Sequence, residues 1–196
     1  MSGDEGRMPL LAALEVLRDV RRDAIVVTTM GSAREWPKLS QHALDFQYLP
    51  SAMGHAPMLG LGMALAQPQR EVIAFNGDGG MLMGLGCLVT IVASRATNFT
   101  LVLLDNGLYE VTGGQPTAGV SAGCDFVAAA RAAGFATADR YHTLEAWRSA
   151  AGLLLSRPGP RFVQLMIEPV GAAYHLPAPT PMPARIAAFR AALGVI

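Results

Sequence analysis

Residues 72–80 read Val-Ile-Ala-Phe-Asn-Gly-Asp-Gly-Gly, and the stretch that follows, Leu82–Ser94, has the apolar content and spacing of a helix. Four apolar residues without polar alternation, closed by a glycine-rich turn, predict a short strand buried on both faces, the pattern of a parallel sheet. In an open α/β sheet, ligands gather outside the carboxyl ends of strands, and a glycine-rich turn into a helix presents backbone N–H groups to a phosphate. An Asp in that turn repels phosphate unless a divalent cation lies between them, as Mg2+ does when protein and phosphate oxygens share it. No Lys follows, so the turn is not a P-loop, and the dinucleotide pattern G-x-G-x-x-G is absent. Taken alone, residues 76–80 also read as a plain strand-to-helix turn with an Asp cap.

The next strand decides between these readings. Thr100–Leu104 (TLVLL) runs into Asp105-Asn106-Gly107-Leu108-Tyr109. Adjacent parallel strands end side by side, so Asp78 and Asn106 can meet at one ion, and a backbone carbonyl of the Gly107-Leu108 turn completes a set of hard oxygen ligands. Further out, Ala24–Thr28 and Phe162–Ile167 are apolar runs of the same kind, and Ala138–Tyr141 is a shorter one. Helical spacing marks Leu10–Val20, Met58–Ala66, Phe126–Ala133 and Leu144–Ser156. Strand and helix alternate, which predicts a doubly wound α/β domain over residues 1–170, with a mostly parallel sheet and helices on both faces. Residues 171–196 read as a Pro-rich tail ending in a short helix near Ala184–Leu193. The segment Leu108–Cys124, with a Gly pair and a Pro directly after a strand, is expected to be a functional loop.

Composition narrows the function classes. The chain has 196 residues, 15 Lys+Arg against 15 Asp+Glu, 52% apolar and only 15% charged residues. A net charge of +0 excludes the basic excess a nucleic-acid binder needs, and the apolar content excludes disorder. The mean hydropathy of +0.33 raises the question of a membrane. The longest charge-free stretch, Phe46–Gln69, contains Pro50, Pro57 and Pro68, and the next, Gly79–Ser94, is 16 residues with four Gly; neither supplies the roughly 20 apolar residues of a span. The start MSGDEGRMPL has no apolar core of a secretory signal, and two cysteines, Cys87 and Cys124, support neither a disulfide scaffold nor an iron–sulfur cluster. A soluble protein of a reducing cytoplasm is expected.

Taken together, the run GDG, a helix, a strand and an Asn-containing turn resembles the signature of thiamin-diphosphate-dependent enzymes, in their diphosphate-binding (PP) domain. The resemblance covers about residues 24–168. It implies that Asp78 and the Asn106 side chain bind Mg2+, with the Leu108 carbonyl as the third protein ligand, and that Gly77, Gly79, Gly80 and Met81 line the diphosphate. It further implies that Met53, in Ser51-Ala52-Met53-Gly54, props the cofactor into a bent shape while the Ser51 carbonyl takes its amino group. The turn Met30-Gly31-Ser32 is then a cofactor contact through Gly31 and Ser32. Tyr109, Thr112 and Gly113 join it from the loop after the metal turn, and His55 and Gln115 handle substrate. The segments SAMGHA (51–56), GDGGMLMGLG (77–86) and LDNGLYEVTGGQPT (104–117) are most similar to sulfopyruvate and phosphonopyruvate decarboxylases. Those relatives more often have Gly-Ser where this chain has Glu110 and Val111, so Glu110 sets a negative charge beside the pocket, unfavourable to a dianionic phosphonate or sulfonate.

In this family the thiazolium ring takes up the electrons left when CO2 departs a 2-oxo acid, and a Glu from a second, pyrimidine-binding (PYR) domain sets the state of the aminopyrimidine. The residues outside 24–168 are too few for such a domain, so the expectation is a subunit that pairs with a separate PYR (α) chain, in a hetero-oligomer with PP–PP pairing as well. A 2-oxo acid decarboxylase is the leading reading. The β subunit of a 2-oxoacid oxidoreductase, a carboligase like acetolactate synthase, and a non-catalytic cofactor-binding or scaffold subunit are the alternatives.

Overall fold

The structure is a computed structural model that describes residues 6–171 and 180–195. Along the chain run α1 (Leu10–Val20), β1 (Ile25–Thr28), α2 (Met30–Glu35), a 3-10 turn (Trp36–Lys38), β2 (Asp45–Gln47), α3 (Ala56–Ala66), β3 (Val72–Gly77), α4 (Asp78–Met83), α5 (Cys87–Ser94) and β4 (Phe99–Asp105). There follow β5 (Leu108–Tyr109), a second 3-10 turn (Glu110–Thr112), β6 (Gln115–Pro116), α6 (Ala118–Ala122), α7 (Phe126–Ala133), β7 (Thr137–Tyr141), α8 (Leu144–Ser156), β8 (Arg161–Met166) and α9 (Met182–Ala192). Six strands form one sheet in the order β2-β1-β3-β4-β8-β7, and every pairing in it is parallel. Strands β5 and β6 make a separate antiparallel hairpin.

The expected doubly wound fold is the one observed, and its cause is visible in the side-chain alternation. Ile25 and Val27 point into a core shared with α3, α5 and α7, whereas Val26 points into a second core shared with α1 and α8. Val72 and Ala74 go one way, Ile73 and Phe75 the other. Both faces are buried, so the strands are apolar throughout. Trp147 of α8 is fully buried and donates from Nε1 to the Ala13 carbonyl of α1 at 3.0 Å, which fixes the two helices on the same face.

Three features depart from the sequence reading. The single helix expected over Leu82–Ser94 is two, broken at Gly84-Leu85-Gly86. Glycine weakens a helix interior, and Gly84 also meets another loop: a Cβ there would stand 3.0 Å from the Gly54 carbonyl. Strand β2 and helix α2 were not anticipated, because Asp-Phe-Gln carries a single apolar residue and Met-Gly-Ser-Ala-Arg-Glu has no apolar stripe. Helix α9 begins two residues earlier than expected. It lies along edge strand β2, with Phe189 against Phe46 at a ring separation of 5.1 Å and the Arg185 guanidinium donating to the Gln47 and Leu49 carbonyls. That cover protects an otherwise open sheet edge. His175, Pro177 and Pro179 of the tail fall outside the described residues.

Candidate functional site

Strand order reverses between β1 and β3, since β2 lies on one side of β1 and all later strands on the other. At such a switch point the loops leaving the two strands diverge and open a crevice. A cavity of about 670 Å³, counted to its open mouth, occupies that place. Its wall comes from the exits of three adjacent strands: Thr29–Ser32 after β1, Asn76–Gly80 after β3, and Asn106 with Leu108–Thr112 after β4, joined by Met53, Leu10, Leu104 and Ile167.

The glycine-rich turn carries the first functional group. Asp78 opens α4 and is 2% exposed, so it is a buried carboxylate and not the surface-turn residue its sequence context suggests. Burial, reinforced by the nearby charge of Asp105, pushes its pKa up to about 6, against hydrogen bonds from the Thr117 hydroxyl and the backbone N–H groups of Asp78 and Gly79. Ionised at neutral pH with no cationic side chain among the cavity-lining residues, it has an electrostatic demand that a bound cation would meet. The glycines around it are there for close approach. A Cβ on Gly79 would stand 2.4 Å from the Tyr109 ring, and one on Gly80 2.7 Å from the Asn76 side-chain oxygen. Gly54, at φ +78, lets its loop lie against α4, where a Cβ would be 2.6 Å from the Gly80 carbonyl.

The turn after β4 carries the second group. Buried Asp105 accepts from the Gly107 N–H at 3.1 Å and from the Gln164 side chain at 2.7 Å. The Asn106 amide is oriented from both ends: its Oδ1 accepts from the Leu108 N–H at 2.9 Å and its Nδ2 donates to Glu110 at 2.8 Å. An amide oxygen has two lone pairs, so one remains for a cation. The hairpin bond runs from the Thr117 N–H to the Gly107 carbonyl, so Leu108 and Pro116 opposite it form a pair that exchanges no ladder bond, and the Leu108 carbonyl is not claimed by the partner strand. Glu110 holds more than Asn106: its other oxygen accepts from the backbone of Val170 and Gly171, beyond β8. Among the described residues no group of three His, Cys, Asp or Glu could hold a metal. The donors at hand are instead a carboxylate, an amide and a carbonyl, which suit a hard divalent ion that also takes ligand oxygens.

Of the residues singled out from sequence, Gly31, Ser32, Met53, Gly77, Asp78, Gly79, Gly80, Asn106, Leu108, Tyr109 and Thr112 line this one cavity. Ser51, His55, Met81, Gly113 and Gln115 do not. Met81 is fully buried in the core beneath, with its sulfur 4.0 Å from the Asn76 amide nitrogen. His55 is exposed at the start of α3, with Nδ1 3.0 Å from the Met53 carbonyl. Gln115 and Gly113 are exposed on the hairpin. Sequence reading missed Thr29, whose hydroxyl is buried at the cavity wall, and Thr117, which bonds Asp78. Cys87 is buried, with its thiol pushed up to about 11 by desolvation.

Comparison with known proteins bears on this arrangement. Residues 27–165 match the model of the thiamine pyrophosphate enzyme C-terminal TPP binding domain. The chain is 40% identical over 179 residues to a phosphonopyruvate decarboxylase of Streptomyces viridochromogenes, covering 90% of this chain and 44% of that protein. It is 31% identical over 157 residues to a sulfopyruvate decarboxylase subunit beta of Methanococcus maripaludis, covering 80% of this chain and 82% of that subunit. The chain thus spans less than half of the first relative and most of the second. Its fold is similar to a crystal structure of a thiamin diphosphate-dependent enzyme from Mycobacterium smegmatis, with a TM-score of 0.70 and 23% identity over 83% of this chain and 32% of that one. Among the described residues no helix is long and apolar enough to cross a membrane. The matched region contains the end of β1, all of β3 and β4 and the three loops that wall the cavity, and the chain belongs to the thiamine pyrophosphate enzymes through their C-terminal TPP binding domain.

Proposed function

We propose that the chain is the diphosphate-binding subunit of a thiamin-diphosphate- and Mg2+-dependent 2-oxo acid decarboxylase of the sulfopyruvate and phosphonopyruvate decarboxylase type, working with a separate PYR-domain subunit. The observation that carries this reading is the convergence of Met53, Gly77–Gly80, Asn106 and Leu108 on one cavity at the switch point. The relative named subunit beta, most of whose length the chain covers, supports the two-subunit arrangement. The exposed apolar side chains Met83, Leu85 and Val89, beside α4 and α5, suit contacts with other chains, as PP–PP pairing in a hetero-oligomer requires. Two unpaired thiols suit the cytoplasm.

In this reading the Asp78 carboxylate, the Asn106 amide oxygen and the Leu108 carbonyl hold Mg2+. Gly77, Gly79 and Gly80 admit the diphosphate close to the backbone, with Thr112, Gly31 and Ser32 around it. Met53 shapes the cofactor from the far wall, and Leu10, Leu104 and Ile167 keep water from the cavity floor. Thiamin diphosphate, when bound, supplies the electron sink for breaking the bond between the carboxylate and the keto carbon. With Nδ1–H of His55 on the Met53 carbonyl, Nε2 can orient a substrate carboxylate only as the imidazolium, in which both ring nitrogens donate, once the partner closes the site. Gln115 stands exposed on the hairpin, open to a partner.

The test is CO2 release from a panel of 2-oxo acids by the chain alone and with its PYR-domain partner. Turnover is expected only when both chains, thiamin diphosphate and Mg2+ are present. Equal turnover by the chain alone contradicts the two-subunit reading.

A further inference from the structure

Thr117 closes the hairpin of β5 and β6 and ends the segment LDNGLYEVTGGQPT, in which the sequence reading assigned it no role. It is 1% exposed and occupies the residue before α6, where a Thr hydroxyl ordinarily accepts a hydrogen bond from the first turn of its own helix. It makes no such bond. Its hydroxyl instead donates to Asp78 Oδ2 at 2.8 Å, across 39 positions of chain, and its backbone N–H donates to the Gly107 carbonyl at 2.9 Å. One residue thereby grips both strand exits from which metal ligands would come, the turn after β3 and the turn after β4.

We propose that Thr117 is the positioning residue of the metal site. Its hydroxyl proton occupies Oδ2 of Asp78, so the carboxylate cannot rotate freely and presents Oδ1, while its N–H holds the Gly107-Leu108 turn at a set distance. The local cap that α6 forgoes is the structural cost of that arrangement. The proposal rests on the reading of Asp78 as a metal ligand, and the test separates the two.

The probe is Mn2+ binding to the full chain with thiamin diphosphate present, followed by loss of the free-ion electron paramagnetic resonance signal. Thr117→Val keeps the branched shape and removes the hydroxyl; it is expected to weaken Mn2+ binding by about tenfold to a hundredfold, as loss of an outer-shell partner does. Thr117→Ser keeps the hydroxyl and removes the methyl, and is expected to bind close to wild type. A packing role predicts the reverse order, with Ser the more damaged. Circular dichroism checks the fold, and Thr117→Ala replaces Thr117→Val if the latter does not fold. Wild-type affinity in the hydroxyl-less variant, or equal loss in the Ser variant, overturns the proposal. If wild type and Asp78→Ala bind Mn2+ alike, the metal reading itself fails and the proposal with it.

Discussion

A carboxylate at position 78 that is 2% exposed, with Asp105 close enough to help raise its pKa to about 6, stands at a cost to the fold. Such a group opposes folding when ionised, by up to about 3 kcal/mol, since each tenfold change in proton affinity is worth roughly 1.4 kcal/mol. Asp78→Asn should therefore leave the metal-free chain at pH 7 as stable as wild type or more so, read from a denaturant midpoint; a large loss of stability contradicts the assignment of a functional rather than a structural carboxylate. That Asp78 and Asn106 would meet at one cavity was legible in the sequence, because each follows an apolar run closely and topology alone brings adjacent strand ends together. Thr117 was not, because only the folded hairpin returns a hydroxyl to a carboxylate 39 positions away. The Thr117 hydroxyl and the buried Thr29 hydroxyl carry no pattern in one dimension. His55 and Gln115 have sequence contexts that suggest chemistry, yet they stand outside the cavity that this chain's own residues line.

At the scale of elements, periodicity located five of the six sheet strands to within a residue or two, missed β2, and misjudged the helix after the glycine-rich turn. An apolar stretch reads as one helix whether or not a glycine pair interrupts it, and the break at Gly84–Gly86 is set by the Gly54 loop lying against it. A chain of polar bonds then links elements to the site. Asp125, at the N-cap of α7, accepts from the N–H groups of Val127 and Ala128 and from Arg140, which donates to Gln164, which donates to Asp105. The Ala128 N–H and the other donors hold the Asp125 carboxyl below the usual carboxylate range. A depressed pKa stabilises the fold above the ordinary Asp range and ceases to do so as pH falls through the folded-state value. Asp125→Ala should cost about 1 kcal/mol at pH 7, with the difference from wild type shrinking as the medium becomes acidic. Thermal unfolding of both proteins across pH 2.5–7 checks this, where the pH range is roughly that over which Asp carboxylates titrate. A difference that is constant with pH contradicts the charged-cap account.

For the whole molecule, the low charge and positive hydropathy have two physical sources. The first is a six-stranded parallel sheet buried on both faces by two separate cores. The second is an outer surface that leaves Leu65, Met83, Val89, Val120 and Leu153 each more than half exposed, on α3, α4, α5, α6 and α8. A cavity walled by the exits of three strands and open at its mouth holds a cofactor from one side only, and the account gives the other side to a partner. The central claim is that this chain's own Asp78 and Asn106 hold thiamin diphosphate through a divalent ion. The most direct measurement is calorimetric titration of thiamin diphosphate into the chain with Mg2+, with a chelator in its place, and with Asp78→Ala. The account predicts saturable binding that needs Mg2+ and is lost in Asp78→Ala; binding that survives either the chelator or the substitution would contradict it.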